Sequence, residues 1–188
     1  NVKEINYNET NKYFLISILA GVSIETLETI FPKHNCIRAV TNIPITIGHG
    51  LTGIAWNHGI DDKDKIFIRN IFKNSGKVFE LSEDYLDIFL ALTSSAPAII
   101  ALIIDALGEG GLSGGLTKKF SEELVIDMIL GTVLMMRDLD VSPSELKNRV
   151  TSPAGTTIAA LRILEKKGFR SALIESIIGA MNKSKEFK

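Results

Sequence analysis

Residues 150–164, Val-Thr-Ser-Pro-Ala-Gly-Thr-Thr-Ile-Ala-Ala-Leu-Arg-Ile-Leu, carry a turn that leads directly into a periodic apolar segment. Pro153 and Gly155 mark the turn, and Thr156 or Thr157 is suited to cap the helix that follows. Free N–H groups at such a helix start, together with the helix dipole, favour a bound carboxylate or phosphate. The same residues are also typical of an ordinary capped helix without a ligand, so the local pattern leaves both interpretations open.

The composition is that of a globular protein without a marked charge preference. The chain has 188 residues, of which 45% are hydrophobic, and its 21 basic and 22 acidic residues give a net charge of −1. This balance argues against nucleic acid and against an anionic membrane surface as partners. Cys36 is the one cysteine, which excludes an internal disulfide and fits a reducing compartment, so we expect a cytoplasmic protein. The three histidines lack metal-ligand spacing, and we expect no metal site.

Strand-like and helix-like segments alternate over residues 1–80, which indicates an α/β domain. The predicted strands are a buried parallel strand at 13–19, strands at 36–40 and 51–56, and an edge strand at 78–79. One predicted helix is capped by Ser23 and runs to about Phe31, and a second runs from Asp61 to Asn74. In open α/β sheets, ligands bind beyond the carboxyl ends of the strands. Ala20, Gly21 and Asn42 are therefore placed along a cofactor, although Asn42 is equally typical of a plain turn.

Helices alone are predicted over residues 81–188, which we take as a second, helical domain. Their expected spans are 82–92, 98–107, 117–139, 142–149, 156–166 and 172–185. Residues 93–97 are expected to break the first two helices apart, and the glycine-rich residues 108–115 to connect two further helices. The glycine stretch is not a nucleotide-binding loop, because it follows a helix and Ser113 occupies the position of the third glycine.

The segment 98–107 is apolar on nearly all sides apart from Asp105, so a helix there must be buried all round. A helical domain of this size achieves that most readily with a partner chain, and we expect an obligate dimer. A central helix in a monomeric bundle is the alternative. Because polar residues and Pro97 interrupt the apolar stretch 89–107, we expect no membrane span.

From Val150 to Leu161 the chain resembles the pyrroline-5-carboxylate reductase family, whose pattern there is Val-Thr-Ser-Pro-Gly-Gly-Thr-Thr before an apolar helix. The Leu-Glu-Lys-Lys-Gly-Phe-Arg-Ser-Ala-Leu-Ile-Glu of residues 164–175 also matches. Residues 18–22 resemble the family's Ala-Ala-Gly-Val, 41–44 its Asn-Thr-Pro turn, and 91–98 its Leu-Thr-Gly-Ser-Gly-Pro-Ala. The resemblance therefore covers essentially the whole chain.

The resemblance implies an oxidoreductase that transfers a hydride from NADPH or NADH to the C=N carbon of 1-pyrroline-5-carboxylate, the last step of proline biosynthesis. It implies the C-terminal half of a Rossmann domain, then an all-α domain that forms a homodimer or higher homo-oligomer. It also implies roles for individual residues: the substrate carboxylate and ring nitrogen at Gly155, Thr156 and Thr157, with Thr157 as the main catalytic candidate; the nicotinamide and substrate near Ser95; and the cofactor along Ala20, Gly21 and Asn42.

The chain departs from the family pattern at several positions. Ala154, Ser94 and Ala96 replace glycines and Ile43 replaces a threonine, so each position has gained a Cβ or exchanged a hydroxyl for bulk. The family's first strand, its Gly-x-Gly-x-x-Gly turn and its strand ending in Val-Lys-Pro do not occur in these 188 residues. Because the sequence opens on Asn1, we expect it to be the inside of a longer protein.

Three hypotheses remain open at this point. The first is a pyrroline-5-carboxylate reductase of which this chain is a C-terminal portion. The second is a catalytically impaired remnant that acts only as a helical dimerisation module. The third is a related reductase acting on another cyclic imine or small acid.

Overall fold

A computed structural model describes residues 13–186, and residues 1–12 and 187–188 lie outside the described part. Its first elements form a four-stranded sheet in the order β1-β2-β3-β4. The strands are β1 (Phe14–Ser17), β2 (Asn35–Val40), β3 (Gly50–Trp56) and β4 (Gly76–Glu80). The four predicted strands are therefore confirmed, with β4 at an edge as expected.

The sheet is mixed. β1 pairs parallel to β2 and β3 parallel to β4, whereas β2 and β3 are antiparallel. Only a short 3₁₀ helix, Ile43–Ile47, connects β2 to β3, and a parallel pair needs a much longer crossover. The prediction that β1 is buried is wrong in this structure: β1 is an edge strand, and of its residues only Ser17 is buried.

Two helices pack against the sheet, one on each face. They are α1 (Ile24–Ile30) and α2 (Asp62–Lys73), and their caps Ser23 and Asp61 accept hydrogen bonds from backbone N–H groups at 3.0 and 2.8 Å. Successive side chains of a strand point to opposite faces, so β2 serves both cores. Cys36 and Val40 pack on the α1 face, and Ile37 and Ala39 on the α2 face.

A long helix without interruption runs from Glu83 to Ser113. It consists of a 3₁₀ turn (Glu83–Tyr85), α3 (Leu86–Leu90), a π-helical turn (Ala91–Ser95) and α4 (Ala96–Ser113). The predicted break at residues 93–97 is therefore wrong. Pro97 distorts a regular α-helix, and the wider π turn just before it accommodates the distortion without ending the helix.

Residues 108–115 were predicted to connect two helices, but residues 108–113 form the end of α4, and only Gly114 and Gly115 lie in the connection. A Cβ at Gly108 would lie 2.9 Å from Cγ of Glu122, and one at Gly111 would lie 2.5 Å from Oγ of Ser121. These glycines therefore allow α4 to approach the next helix closely. The true connection is short, because Thr117 already caps that helix by accepting from the N–H of Phe120 at 3.3 Å.

The remaining helices are α5 (Lys118–Asp138), α6 (Pro143–Arg149), α7 (Thr156–Lys166) and α8 (Phe169–Lys185). The predicted cap Ser142 is confirmed, since its hydroxyl accepts from the N–H of Glu145 at 3.2 Å. α8 begins three residues before the predicted position, directly after Gly168, whose φ of 72° ends α7 in a left-handed conformation.

The chain divides into two compact units. The described residues up to Pro97, with those from Ser176 onward, form what we call the sheet unit, and Ala98–Glu175 form the helical unit. Within the sheet unit, the buried Ser184 hydroxyl donates to Oδ1 of the buried Asp87 at 2.9 Å, which ties the end of α8 to α3. This division differs from the predicted domains 1–80 and 81–188, which stay a prediction.

Candidate active site

The start of α7 lacks a side-chain cap. Gly155 is the N-cap residue, so the prediction that Thr156 or Thr157 caps the helix is wrong: both are already helical. The first hydrogen bond of the helix runs from the N–H of Ala159 to the carbonyl of Gly155, at 3.3 Å. Within residues 13–186, the N–H groups of Thr156, Thr157 and Ile158 therefore have no acceptor.

Two hydroxyls accompany these free amides. Thr157 is half-buried and Thr156 exposed, and neither hydroxyl makes a hydrogen bond within the described part of the chain. Nearby Thr151 behaves differently, since its hydroxyl donates to the carbonyl of Lys147 at 2.6 Å. The start of α7 thus presents several donors at the positive end of a helix dipole, which suits a carboxylate.

The turn before α7 is tight. The N–H of Gly155 donates to the carbonyl of Ser152 at 3.2 Å, and a Cβ at Gly155 would lie 2.5 Å from Oγ of Ser152. Ala154 has a φ of 57°, in the left-handed region that glycine adopts without strain. The departure from the family's Pro-Gly-Gly therefore falls at a position where the backbone favours glycine.

Ala20, Gly21 and Asn42 lie at one edge of the sheet, because they follow the carboxyl ends of the parallel strands β1 and β2. Gly21 is buried with a φ of 76°. The side chain of Asn42 is engaged by the protein itself: Oδ1 accepts from the N–H of Leu51 at 2.8 Å, and Nδ2 donates to the carbonyl of Thr93 at 3.1 Å. Its role along a cofactor stays a prediction.

Ser95 is the last residue of the π turn and is half-buried. Its hydroxyl has no hydrogen-bond partner among residues 13–186. The preceding Ser94 donates to the carbonyl of Thr41 at 2.9 Å, so the structure brings the π turn to the turn that contains Asn42. Gly155, Thr156 and Thr157 belong to the helical unit and are described separately.

Sequence reasoning missed Thr93 and Ser94. The run Thr-Ser-Ser before Pro97 predicts a break, whereas Thr93 and Ser94 bond to residues 41 and 42 after β2. The unusual density of hydroxyls at a helical position was the available signal, since Ser and Thr readily bond backbone carbonyls.

A side chain of the protein, Glu83, already occupies the N-terminus of α1. Oε1 of Glu83 accepts from the N–H of Ile24, the first residue of α1, at 2.9 Å and from Nη1 of Arg38 at 2.8 Å. Arg38 is only 2% exposed, so Glu83 neutralises a buried charge and supplies an anion to the helix start. The start of α1 is therefore not open to an external phosphate.

Cys36 is not a nucleophile candidate. It is fully buried beneath α1, and this burial, reinforced by the negative charge of Glu28, raises the pKa of its thiol to about 11. The thiol remains protonated at neutral pH, and a protonated thiol is neither a good nucleophile nor a good metal ligand.

Comparison with known proteins settles the family. Residues 83–187, which include the π turn and the start of α7, match the family model for pyrroline-5-carboxylate reductase dimerisation. The chain belongs to the pyrroline-5-carboxylate reductase family. A pyrroline-5-carboxylate reductase of Synechocystis sp. is 40% identical over 176 residues, which cover 94% of this chain and 66% of the relative. One from Aquifex aeolicus is 32% identical over 93% of this chain and 66% of its own length.

Solved structures of reductases agree with the fold. The Plasmodium falciparum pyrroline carboxylate reductase with NADP bound superposes with a TM-score of 0.88 at 31% identity, covering 93% of this chain and 71% of that one. A pyrroline-5-carboxylate reductase from Coxiella burnetii gives a TM-score of 0.86 at 34% identity, covering 93% and 66%. These neighbours confirm the predicted fold class, a partial Rossmann domain followed by a helical domain. The chain spans about two thirds of the length of these curated relatives (66%).

Residues 83–187 match a family model for dimerisation, which favours homo-oligomerisation of this chain. The matched residues include the helix Glu83–Ser113, which by length and composition alone is apolar enough to cross a membrane. Because this helix lies inside the dimerisation match, its apolar surface is a candidate for contacts between copies of the chain. The absence of a membrane partner stays a prediction.

Proposed function

We propose that this chain serves the NADPH- or NADH-dependent reduction of 1-pyrroline-5-carboxylate to L-proline. The observation that supports this most is the uncapped start of α7, where the amides of Thr156, Thr157 and Ile158 have no acceptor within residues 13–186. Two of these residues, Thr156 and Thr157, form the Thr-Thr of the motif at residues 150–157 that resembles the family. A pyrroline substrate carries one carboxylate, and a helix start with free amides is suited to one carboxylate.

In this proposal the amides at the start of α7 bind the substrate carboxylate, and the Thr157 hydroxyl donates to the ring nitrogen. When a hydride adds to the imine carbon, the C=N electron pair moves to the ring nitrogen, which takes a proton from solvent to become a secondary amine. A placed donor stabilises the negative charge density that develops on the nitrogen in that step. The α7 amides also orient the ring, because they hold its carboxylate in a fixed position. The amides themselves keep their protons in this role.

The described residues fit the nicotinamide end of a cofactor, which supplies the hydride when bound. Ala20, Gly21 and Asn42 border the carboxyl edge of β1 and β2, and the Ser95 hydroxyl has no partner within the described part of the chain. The structure of the Plasmodium falciparum reductase, which holds NADP, supports a cofactor of this class. The preference of this chain for NADPH or NADH is tested by comparing the two in the assay below.

The decisive experiment measures oxidation of NADPH at 340 nm with 1-pyrroline-5-carboxylate as substrate. Thr157→Ala should lower kcat/KM about tenfold to hundredfold, since it removes one hydrogen bond to a group that gains charge. Thr157→Ser keeps the hydroxyl and should retain most of the activity. Thr29→Ala is the matched control, because Thr29 is exposed and its hydroxyl donates only to the carbonyl of Glu25 in the same helix, α1. Equal activity of Thr157→Ala and the unaltered chain would contradict the role of Thr157.

A second candidate function is a dimerisation module without catalysis. One observation favours it: Glu83 occupies the start of α1, and among residues 13–186 no glycine-rich strand-to-helix turn offers a site for a pyrophosphate. Titration of NADPH into the chain distinguishes the two. Saturable micromolar binding supports the reductase, whereas a stable dimer that neither binds NADPH nor oxidises it supports the module.

A further inference from the structure

Two side chains attach the π turn to the carboxyl end of β2. The Ser94 hydroxyl donates to the carbonyl of Thr41 at 2.9 Å, and Nδ2 of Asn42 donates to the carbonyl of Thr93 at 3.1 Å. The Ser94–Thr41 bond joins residues 53 positions apart along the chain, and the Asn42–Thr93 bond joins residues 51 positions apart. We call this pair of hydrogen bonds the turn clamp.

Pro97 explains why a carbonyl is available to the turn clamp. In an α-helix the carbonyl of residue 93 accepts from the N–H of residue 97, and a proline has no N–H to donate. Asn42 supplies the missing donor from the neighbouring turn. The Thr93 hydroxyl donates to the carbonyl of Phe89 at 2.7 Å. Thr93 is therefore bonded through its carbonyl to Asn42 and through its hydroxyl to the preceding helix.

Asn42 is itself held firmly. It is buried, with 7% of its surface exposed, and its Oδ1 accepts from the N–H of Leu51 at 2.8 Å. Its amide therefore links the turn after β2, the next strand and the π turn. A buried side chain with both its polar atoms engaged has little freedom to move, which makes it a rigid support for Thr93.

Ser94 provides the part of the turn clamp that departs from the family pattern. The family resemblance places a glycine at this position, and glycine has no hydroxyl to donate. Ser94 is half-buried, and its Oγ also lies 3.5 Å from that of Thr93. A serine in place of the family's glycine therefore adds a hydrogen bond between the π turn and the turn after β2, as well as volume.

We propose that Ser94 is a positioning residue that, together with Asn42, holds the neighbouring Ser95 at a fixed place relative to the cofactor edge of β2. The proposal rests on the proposed function for the role of Ser95, and on the turn clamp for the mechanism. In this proposal Ser94 acts through Ser95 and not by its own contact with substrate or cofactor. Its hydroxyl acts by restricting the backbone of residues 93–95.

Hydrogen exchange of the unliganded chain tests the restriction directly. Ser94→Ala should raise the exchange rates of the amides of residues 91–96 about threefold to tenfold, the range expected for the loss of one net hydrogen bond. Ser94→Thr keeps the hydroxyl and should exchange like the unaltered chain. Ser113→Ala is the control, since that hydroxyl donates only within its own helix, to the carbonyl of Glu109 at 3.0 Å. Unchanged exchange at residues 91–96 in Ser94→Ala would overturn the proposal.

Kinetics separate positioning from simple stabilisation. With a misplaced Ser95, kcat should fall about threefold to tenfold while KM for the pyrroline stays the same, because the carboxylate is bound by the α7 amides. Ser94→Thr should restore kcat. An active enzyme whose kcat is unaffected by Ser94→Ala contradicts the proposal, even if its unfolding temperature falls. An unaltered chain without activity contradicts the proposed function, and the exchange experiment then decides on its own whether Ser94 restrains the turn.

Discussion

The two units of the molecule differ in how they bury apolar side chains. Among the described residues, every buried apolar side chain except Val141 and Leu146 lies in the sheet unit. The helical unit contains α5, a helix of 21 residues, yet the only residue of it that is buried is Ser121. The sheet unit thus has a core of its own, and the helical unit lacks one within a single chain.

This difference indicates where the helical unit obtains its stability. Large apolar side chains are exposed along both long helices, among them Leu102 at 67% and Leu130 at 55% exposure. Exposed apolar surface on this scale is typical of a protein interface and not of a free surface. Because the same residues fall inside the match to a dimerisation family, we expect a second copy of the chain to complete this core.

The largest expected effect concerns that interface. Leu102→Glu should raise the dissociation constant of the oligomer at least about a hundredfold, because it removes the burial of a leucine and places an unpaired charge in an apolar contact. Sedimentation velocity across protein concentrations measures the change.

The sheet unit offers a matched control for this substitution. Ile47 is exposed to 73%, similar to Leu102, but lies in the 3₁₀ helix after β2. Ile47→Glu should leave the dissociation constant unchanged. If both variants dissociate equally, or neither does, the proposed difference between the two units is wrong.

The next largest effect is expected in the sheet unit. Glu83→Gln leaves the guanidinium of Arg38, which is 2% exposed, without its counter-charge. The free energy of unfolding should fall by about 2 kcal/mol, somewhat less than for a fully buried ion pair, because the Glu83 side chain is 29% exposed. Urea unfolding followed by the fluorescence of Trp56, the single tryptophan, measures it.

An exposed ion pair of the helical unit is the comparison. Arg149 and Glu145 bond at 2.6 Å with about half of each side chain exposed (52% and 50%). Glu145→Gln should change the free energy of unfolding by less than ~1 kcal/mol. A similar loss in both variants would show that burial of the Arg38 pair does not matter.

Local sequence signals predicted much of the fold. The helix starts at Ser23, Thr117 and Ser142 were predictable because a capping hydroxyl acts on amides only three residues away. The motif ending in Thr156-Thr157 likewise placed a free helix start correctly, although it misassigned the cap residue.

Features that depend on distant contacts were not predictable. The π turn persists because Asn42, some fifty residues earlier, supplies the donor that Pro97 lacks. The helix continues through Gly108 and Gly111 because α5 packs closely against them. In each case the local sequence predicts that the helix ends, whereas a contact with a distant residue accompanies its continuation in the folded chain.

A smaller effect is expected at Ala154. Its φ of 57° is strained for any residue with a Cβ, so Ala154→Gly should stabilise the turn before α7 by about 1 kcal/mol. Ala160→Gly, in the middle of α7, should lower the free energy of unfolding by a similar amount. Thermal unfolding of the two variants by circular dichroism would contradict this if both shifts had the same sign.

The smallest effect concerns alkaline pH and the sheet unit. The pKa of the Cys36 thiol is raised from its ordinary value of 9.0 to about 11, so the unfolded chain loses this proton at lower pH than the folded one. The thiol therefore stabilises the fold fully below pH 9 and progressively less as the pH rises through 11, with a loss below ~1 kcal/mol at pH 9.5. Cys36→Ala should abolish this part of the pH dependence of the urea midpoint. A pH dependence identical in both proteins would contradict the assignment.

The most direct test of the difference between the units is urea unfolding at protein concentrations that span two orders of magnitude, with two signals recorded together. Trp56 lies on β3 and reports on the sheet unit, whereas ellipticity at 222 nm is dominated by the long helices. If a second copy completes the helical core, the ellipticity midpoint should rise with protein concentration, while that of Trp56 should respond much less. An ellipticity midpoint independent of concentration would show that the helical unit is stable without a partner and would contradict the account.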